Sequence, residues 1–173
     1  MNNTIILWAS SRTDGETYNS VKQLKTNSLF TEENLGNLNI SYYDYNHNNI
    51  EDDFVSLCEK ILEYQNIVFA TPVYWYAMCA QMKIFFDRTS DLITVKKEIG
   101  RRLSGKNTYL IANGTGECLP EGFEVPFKRT SNYFDMSYKG SLYLHTGKDE
   151  DLKQSTWGSI DEFQKLIING ENA

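Results

Sequence analysis

Three short runs of the chain are almost continuously apolar: TIILWA (4–9), NIVFATPV (66–73) and NTYLIAN (107–113). Runs of this length, rich in β-branched or aromatic residues and closed by polar or glycine residues, read as strands buried on both faces. Such strands belong to parallel sheets with helices on either side. ISYYDYN (40–46) and SLYLHTG (141–147) mix polar with apolar residues and read as sheet edges. Helical patterns lie between them. EDDFVSLCEKILEYQ (51–65) opens on three acids, then spaces Phe54, Leu57, Cys58, Ile61 and Leu62 at helical intervals. AMCAQMKIFFDRTSDLI (77–93) and TWGSIDEFQKLIING (156–170) do the same, the latter with Trp157, Ile160, Phe163 and Ile167 on one side and Gly170 as a stop. PEGFEVPFKRTSNYFDM (120–136) reads as a helix interrupted near Pro126.

Strands alternating with helices imply right-handed βαβ crossovers. Two edge strands and three central ones fit the order 2-1-3-4-5. The expected fold is therefore α/β, a flavodoxin-like doubly wound five-stranded parallel sheet with helices on both faces. A length of 173 residues fits one such domain spanning 1–173, and 40% hydrophobic residues supply its core.

Seventeen basic against 23 acidic residues give a net charge of −6, which argues against nucleic acid and anionic membranes as partners. Cys58, Cys79 and Cys118 form no CxxC pair, so neither a disulfide framework nor a zinc site is expected. The start MNNTIILWAS lacks a basic lead-in, and no run approaches the roughly 18 apolar residues of a spanning helix. A cytoplasmic protein is the expectation.

Ligands of a doubly wound sheet bind beyond the carboxyl ends of its strands. Three loops leave those ends here. SSRTDGET (10–17) offers hydroxyls from Ser10, Ser11, Thr13 and Thr17, the guanidinium of Arg12, freedom of turn at Gly15, and a helix N-terminus, which together make an anion cradle. The same residues also suit an ordinary helix cap. TPVYWYAM (71–78) sets Val73, Tyr74, Trp75 and Tyr76 behind Pro72, aromatic surface that fits a stacked planar ring or, equally for Tyr76, a core or subunit contact. Asn113, Gly114, Thr115 and Gly116 offer close backbone approach with amide and hydroxyl groups.

SSRxxGxT after the first strand, TPVYW after the third and QMKIFFDRT in the next helix resemble the NAD(P)H-dependent FMN reductase and quinone reductase branch of the flavodoxin-like superfamily. The resemblance is most specific from Thr71 to Thr89 and covers the first two-thirds of the chain. It implies that Ser10, Arg12 and Thr17 hold an FMN phosphate, that Pro72, Val73, Tyr74 and Trp75 line the isoalloxazine, and that Asn113 with Gly114 closes its pyrimidine side. It further implies NADPH or NADH as hydride donor, a quinone, free flavin or other small molecule as acceptor, and a homodimer or homotetramer. The chemistry would belong to the flavin, with no separate catalytic acid or base. Two departures stand out: Glu16 where the family commonly has Asn, and Tyr76 where it often has a small residue. A flavodoxin-type electron carrier and a flavin-free partner-binding relative remain alternatives.

His47 and His145 have no spacing partner for a metal, and His145 reads as a surface or hydrogen-bonded residue ending the fifth strand. Lys83, Asp87 and Arg88 read as an ion-pair cluster along one helix, and Cys79 as a small buried helix residue.

Overall fold

A computed structural model describes residues 3–26, 29–148 and 150–169, with side chains described outside 150–159. Strands β1 (Thr4–Trp8), β2 (Thr31–Asn34), β3 (Asn66–Pro72), β4 (Asn107–Gly114) and β5 (Ser137–His145) form one parallel sheet in the order β2-β1-β3-β4-β5. Because successive strand residues point to opposite faces, each strand feeds two cores. Ile5, Leu7, Ile67, Phe69, Leu110 and Ala112 pack beneath α2 (Asp53–Ile61), α3 (Ala80–Arg88) and α6 (Val125–Tyr133). Ile6, Trp8, Val68, Tyr109 and Ile111 pack beneath α1 (Glu16–Lys25) and α7 (Glu150–Asn169). The short helices α4 (Asp91–Thr94) and α5 (Lys97–Arg101) lead from α3 back to β4.

The three central strands and the strand order agree with the sequence expectation. The second strand does not: it is Thr31–Asn34, TEEN, and residues 40–46 are irregular. An edge strand needs backbone pairing more than hydrophobic side chains, and charge on an edge guards it against further pairing. Glu32 and Glu33 are moreover held by Lys25 at 3.2 Å and Lys60 at 2.6 Å. β5 starts four residues earlier than expected, at Ser137, and ends at His145. Pro126 opens α6 instead of interrupting it, since a missing N–H costs nothing in the first turn. α3 starts at Ala80, three residues later than the pattern at 77–93 suggests, because the preceding residues form a tight turn. Trp157's side chain and Gly170 lie outside the described residues.

The tyrosine-rich segment at 40–46 is fixed by charge instead of pairing. Arg88, 1% exposed, donates through Nε to Asp91 at 2.7 Å and through Nη1 to Asp52. Its remaining N–H groups reach the carbonyls of Ser41 and Asn49, both at 3.1 Å. Asp52 also caps α2 by accepting from Phe54 N, and it accepts from Ser41 N, while Asp91 takes His47 Nδ1 at 2.9 Å. Arg88 is thus not part of a cluster with Lys83 and Asp87, which pair alone on the exposed side of α3. Burial raises the pKa of Asp52, but the hydrogen bonds from Arg88, Ser41 and Phe54 outweigh it and hold the carboxyl below its ordinary range.

Replacing Arg88 by Met leaves two buried carboxylates without their cation and should cost about 3–5 kcal/mol in urea unfolding at neutral pH. The folded-state pKa of Asp52 is depressed, so its contribution is present above the ordinary carboxylate range and lost on acidification. The gap between the native protein and Arg88→Met should therefore narrow as pH falls towards that range.

Candidate functional site

The loop after β1 delivers the chain to α1 through Gly15, which holds the N-cap position and has no side chain to accept from the first helical N–H groups. Those donors remain open to an anion, at the positive end of the helix dipole. Arg12 folds over them: a Cβ built on Gly15 would stand 3.5 Å from its Nε and 3.6 Å from its Nη2. Ser11 and Arg12 are exposed, Ser10 is half-buried, Thr17 is 2% exposed, and Glu16 is turned out to solvent. The acid that departs from the family pattern thus stands on the wet side of the helix start.

β3 ends at Pro72, and the chain then reverses in a two-residue turn. Tyr74 N donates to Ala77 O at 2.9 Å and Ala77 N to Tyr74 O at 3.1 Å. The central residues Trp75 and Tyr76 have φ of 49° and 67°, the left-handed signature of a type I′ turn that ordinarily calls for Asn and Gly. Two bulky aromatics in this conformation are strained, at about 1–2 kcal/mol per residue. Trp75 is 92% exposed and Tyr76 76%, so no burial of their own rings offsets the strain. The turn is held from its base instead: Cys79 N donates to Thr71 Oγ1 at 3.1 Å and Cys79 Sγ to Ala9 O at 3.4 Å, joining the β1 and β3 loops. Cys79 is buried at the N-cap of α3, as expected.

Tyr74 links this turn to the anion loop. Hydrogen bonds from Ser11, opposed by burial and aided by Ser10, lower its pKa below that of an ordinary phenol.

The third loop is shaped from β5. Tyr143 Oη donates to Gly116 O at 2.8 Å, and His145 Nδ1–H donates to the same carbonyl at 2.8 Å. Because that carbonyl only accepts, Nδ1 carries the proton. A Cβ on Gly114 would lie 2.7 Å from Tyr143 Oη and 3.3 Å from Val73 Cβ, so this glycine is required by packing. Val73 N donates to Asn113 O at 2.7 Å, tying the second and third loops together. The Asn113 side chain, however, turns to the α1 face, donating to Ser20 Oγ at 2.8 Å, with its buried Oδ1 unpartnered. Thr115 is exposed.

All three loops thus gather at the carboxyl ends of β1, β3 and β4. Sequence reasoning missed Tyr143 and Ser20, which act on the site from elements far along the chain. His145 does end β5 and is hydrogen-bonded, as expected.

A sequence model described as the flavodoxin-like fold matches residues 2–166. The chain belongs to the flavodoxin-like fold family. Among proteins with this fold, a proposed NAD(P)H-dependent FMN-containing oxidoreductase of Bacillus subtilis (strain 168), YwqN, is 32% identical over 107 residues, 60% of this chain. The match spans 59% of that relative's length. The solved Trp repressor binding protein from Bacillus subtilis superposes with a TM-score of 0.73 at 20% identity, covering 92% of this chain and 97% of that one. An FMN-dependent NADH-azoreductase from Bacillus anthracis, solved with FMN, gives a TM-score of 0.72 at 10% identity, covering 96% and 100%. At these identities the structures establish the flavodoxin-like fold alone. Among the described residues no helix is long and apolar enough to cross a membrane.

Two substitutions probe this geometry. Trp75→Gly removes a left-handed bulky residue with little buried surface, so thermal unfolding should show stability unchanged or raised by up to about 1 kcal/mol. Gly114→Ala should lower stability by about 1–3 kcal/mol, and by less in a Tyr143→Phe background, a coupling read from a double-mutant cycle.

Proposed function

We propose that the protein is an FMN-dependent NAD(P)H oxidoreductase that passes electrons to a small acceptor such as a quinone or free flavin. The observation that carries this reading is the juxtaposition of the β1 and β3 loops, tied at their base by Cys79 Sγ donating to Ala9 O. It sets an Arg12-covered helix N-terminus with no side-chain cap beside an aromatic turn held in a strained outward conformation. A phosphate at the first and a planar ring against the second together describe a flavin mononucleotide. The 32% identical Bacillus subtilis relative, named for NAD(P)H and FMN, supports the same assignment.

Ser10, Ser11, Arg12 and Thr17, with the N–H groups beyond Gly15, hold the phosphate. Pro72, Val73, Tyr74, Trp75 and Tyr76 line the ring, and the backbone of Asn113, Gly114 and Thr115 closes its polar edge. These residues would hold FMN, which when bound would supply the hydride-accepting chemistry between NADPH or NADH and the small acceptor. The chain's own part is to bind, orient and exclude water. The free thiols and the acidic surface suit a cytoplasmic protein, and the exposed aromatics a homodimer or homotetramer of this single domain.

Anaerobic addition of NADH or NADPH to the FMN-loaded protein should bleach the flavin band. Bound flavin that neither coenzyme reduces would leave an electron carrier, and failure to bind FMN a partner-binding relative. Arg12→Ala should weaken FMN binding by about 1.5–3 kcal/mol in a fluorescence titration.

A further inference from the structure

The stretch that leads from α4 through α5 towards β4 carries an excess of positive charge in an acidic chain: Lys96, Lys97, Arg101 and Arg102 stand against Glu98 alone. Among the described residues none of these four cations forms an ion pair. Lys97 and Arg101, both exposed and about one helical turn apart, line a groove of about 370 Å³ whose apolar side includes Leu92 of α4 and Phe134 at the end of α6. Asp135 is the carboxylate among the described lining residues, and its Oδ2 accepts from Ser104 Oγ at 2.6 Å. Two cations and one carboxylate leave the groove with one positive charge in excess. Behind it lies an interior cavity of about 30 Å³, walled in part by the same Leu92 and Phe134, which are 2% and 8% exposed. The surface of this cavity is apolar throughout. Its volume exceeds the roughly 10–15 Å³ that one water needs, but such a wall gives water no partner and suits an alkyl group instead.

We propose that this groove binds a small amphipathic monocarboxylate of the fatty-acid kind, its head on Lys97 and Arg101 and its alkyl end turned between Leu92 and Phe134 towards the cavity. A carboxylate only accepts, and an ammonium and a guanidinium only donate, so the head satisfies both cations at once. One charge in excess fits a monoanion, whereas a dianion or an acidic peptide would set a second negative charge against Asp135. The groove's volume falls within the roughly 300–1,000 Å³ of small-molecule sites, and its apolar wall with a few convergent polar groups is of their kind. The small cavity behind it calls for a slender, flexible end, which a hydrocarbon chain has and an aromatic anchor of a docking protein lacks. Entry requires Leu92 and Phe134 to change rotamer, a cost that burial of alkyl surface offsets at about fourfold in affinity per methylene. The groove lies beside the turns that enter β4 and β5, at the opposite ends of those strands from the three loops, so the inference does not rest on the flavin reading.

The test titrates the full chain with decanoate, hexanoate and decylammonium by calorimetry, with and without saturating FMN. Decanoate should bind equally in both conditions, and more tightly than hexanoate by about fourfold for each further methylene buried. Decylammonium, the cationic counterpart, should bind at least about tenfold more weakly. Lys97→Gln and Arg101→Gln should each weaken decanoate by about three- to tenfold. Asp135→Asn should tighten it, since asparagine keeps an acceptor for Ser104 and tolerates the left-handed φ of 56° at that position. Cys58→Met fills the cavity from α2 and should shrink the gain from hexanoate to decanoate while leaving hexanoate unchanged. Absence of decanoate binding, decylammonium binding as tightly, or affinity unmoved by all three charge variants would overturn the proposal. Displacement of decanoate by FMN would place it in the candidate flavin site and overturn the proposal as well.

Discussion

β1, β3 and β4 pair along both edges and are covered on both faces, so their polar groups can meet water or a ligand only at the strand ends. At the amino ends the side chains close on one another: Asn107 Nδ2 donates to Asn66 Oδ1 at 2.9 Å, and Asn66 Nδ2 to Thr4 Oγ1 at 3.3 Å. At the carboxyl ends they do not. Thr71 and Asn113 reach outward to Cys79 and Ser20, and the Asn113 Oδ1 lacks a partner. The same ladder therefore seals one end of the sheet and leaves the other to be finished by loops, which is why the candidate site lies there.

The three loops are not independent attachments. Cys79 joins the β3 loop to Ala9 behind β1, Val73 joins it to Asn113 at the end of β4, and Tyr74 joins it to the anion loop. Strain in the Trp75–Tyr76 turn persists because its surroundings over-determine it. Each contact is individually modest. Together they fix a turn whose two rings contribute little burial of their own, so the ring contact proposed above would need little reorganisation.

The central strands were legible because burial on both faces writes itself as an unbroken apolar run, as in TIILWA and NTYLIAN. The edge strand was not, because TEEN pairs through its backbone, which carries no sequence signature, while the tyrosines at 40–46 imitate a strand. Arg88 shows the limit of helical spacing: three residues from Asp91 and one from Asp87, it takes the first and also Asp52, 36 positions away. At the site, residue types in each loop could be read from sequence, but directions could not. Nothing near Trp75 announces positive φ, and nothing near Asn113 says that its side chain leaves the loop for Ser20.

On the proposed reading, a chain of net charge −6 would bind the FMN phosphate against its own field. Arg88 gives no help, since Asp52 and Asp91 consume it in the interior. Around the anion loop the exposed charged side chains are Arg12, Asp14 and Glu16, which sum to a negative charge. Long-range attraction therefore cannot be the basis of binding there. Exposed carboxylates act through water, however, and are screened over about 8–10 Å, whereas N–H groups at the start of α1 act at hydrogen-bond distance. The contacts that hold a phosphate and the charges that oppose its approach thus operate at different ranges. On the proposed reading the backbone and Arg12 would set the affinity for a phosphate, and the acidic surface would act chiefly on the rate of encounter.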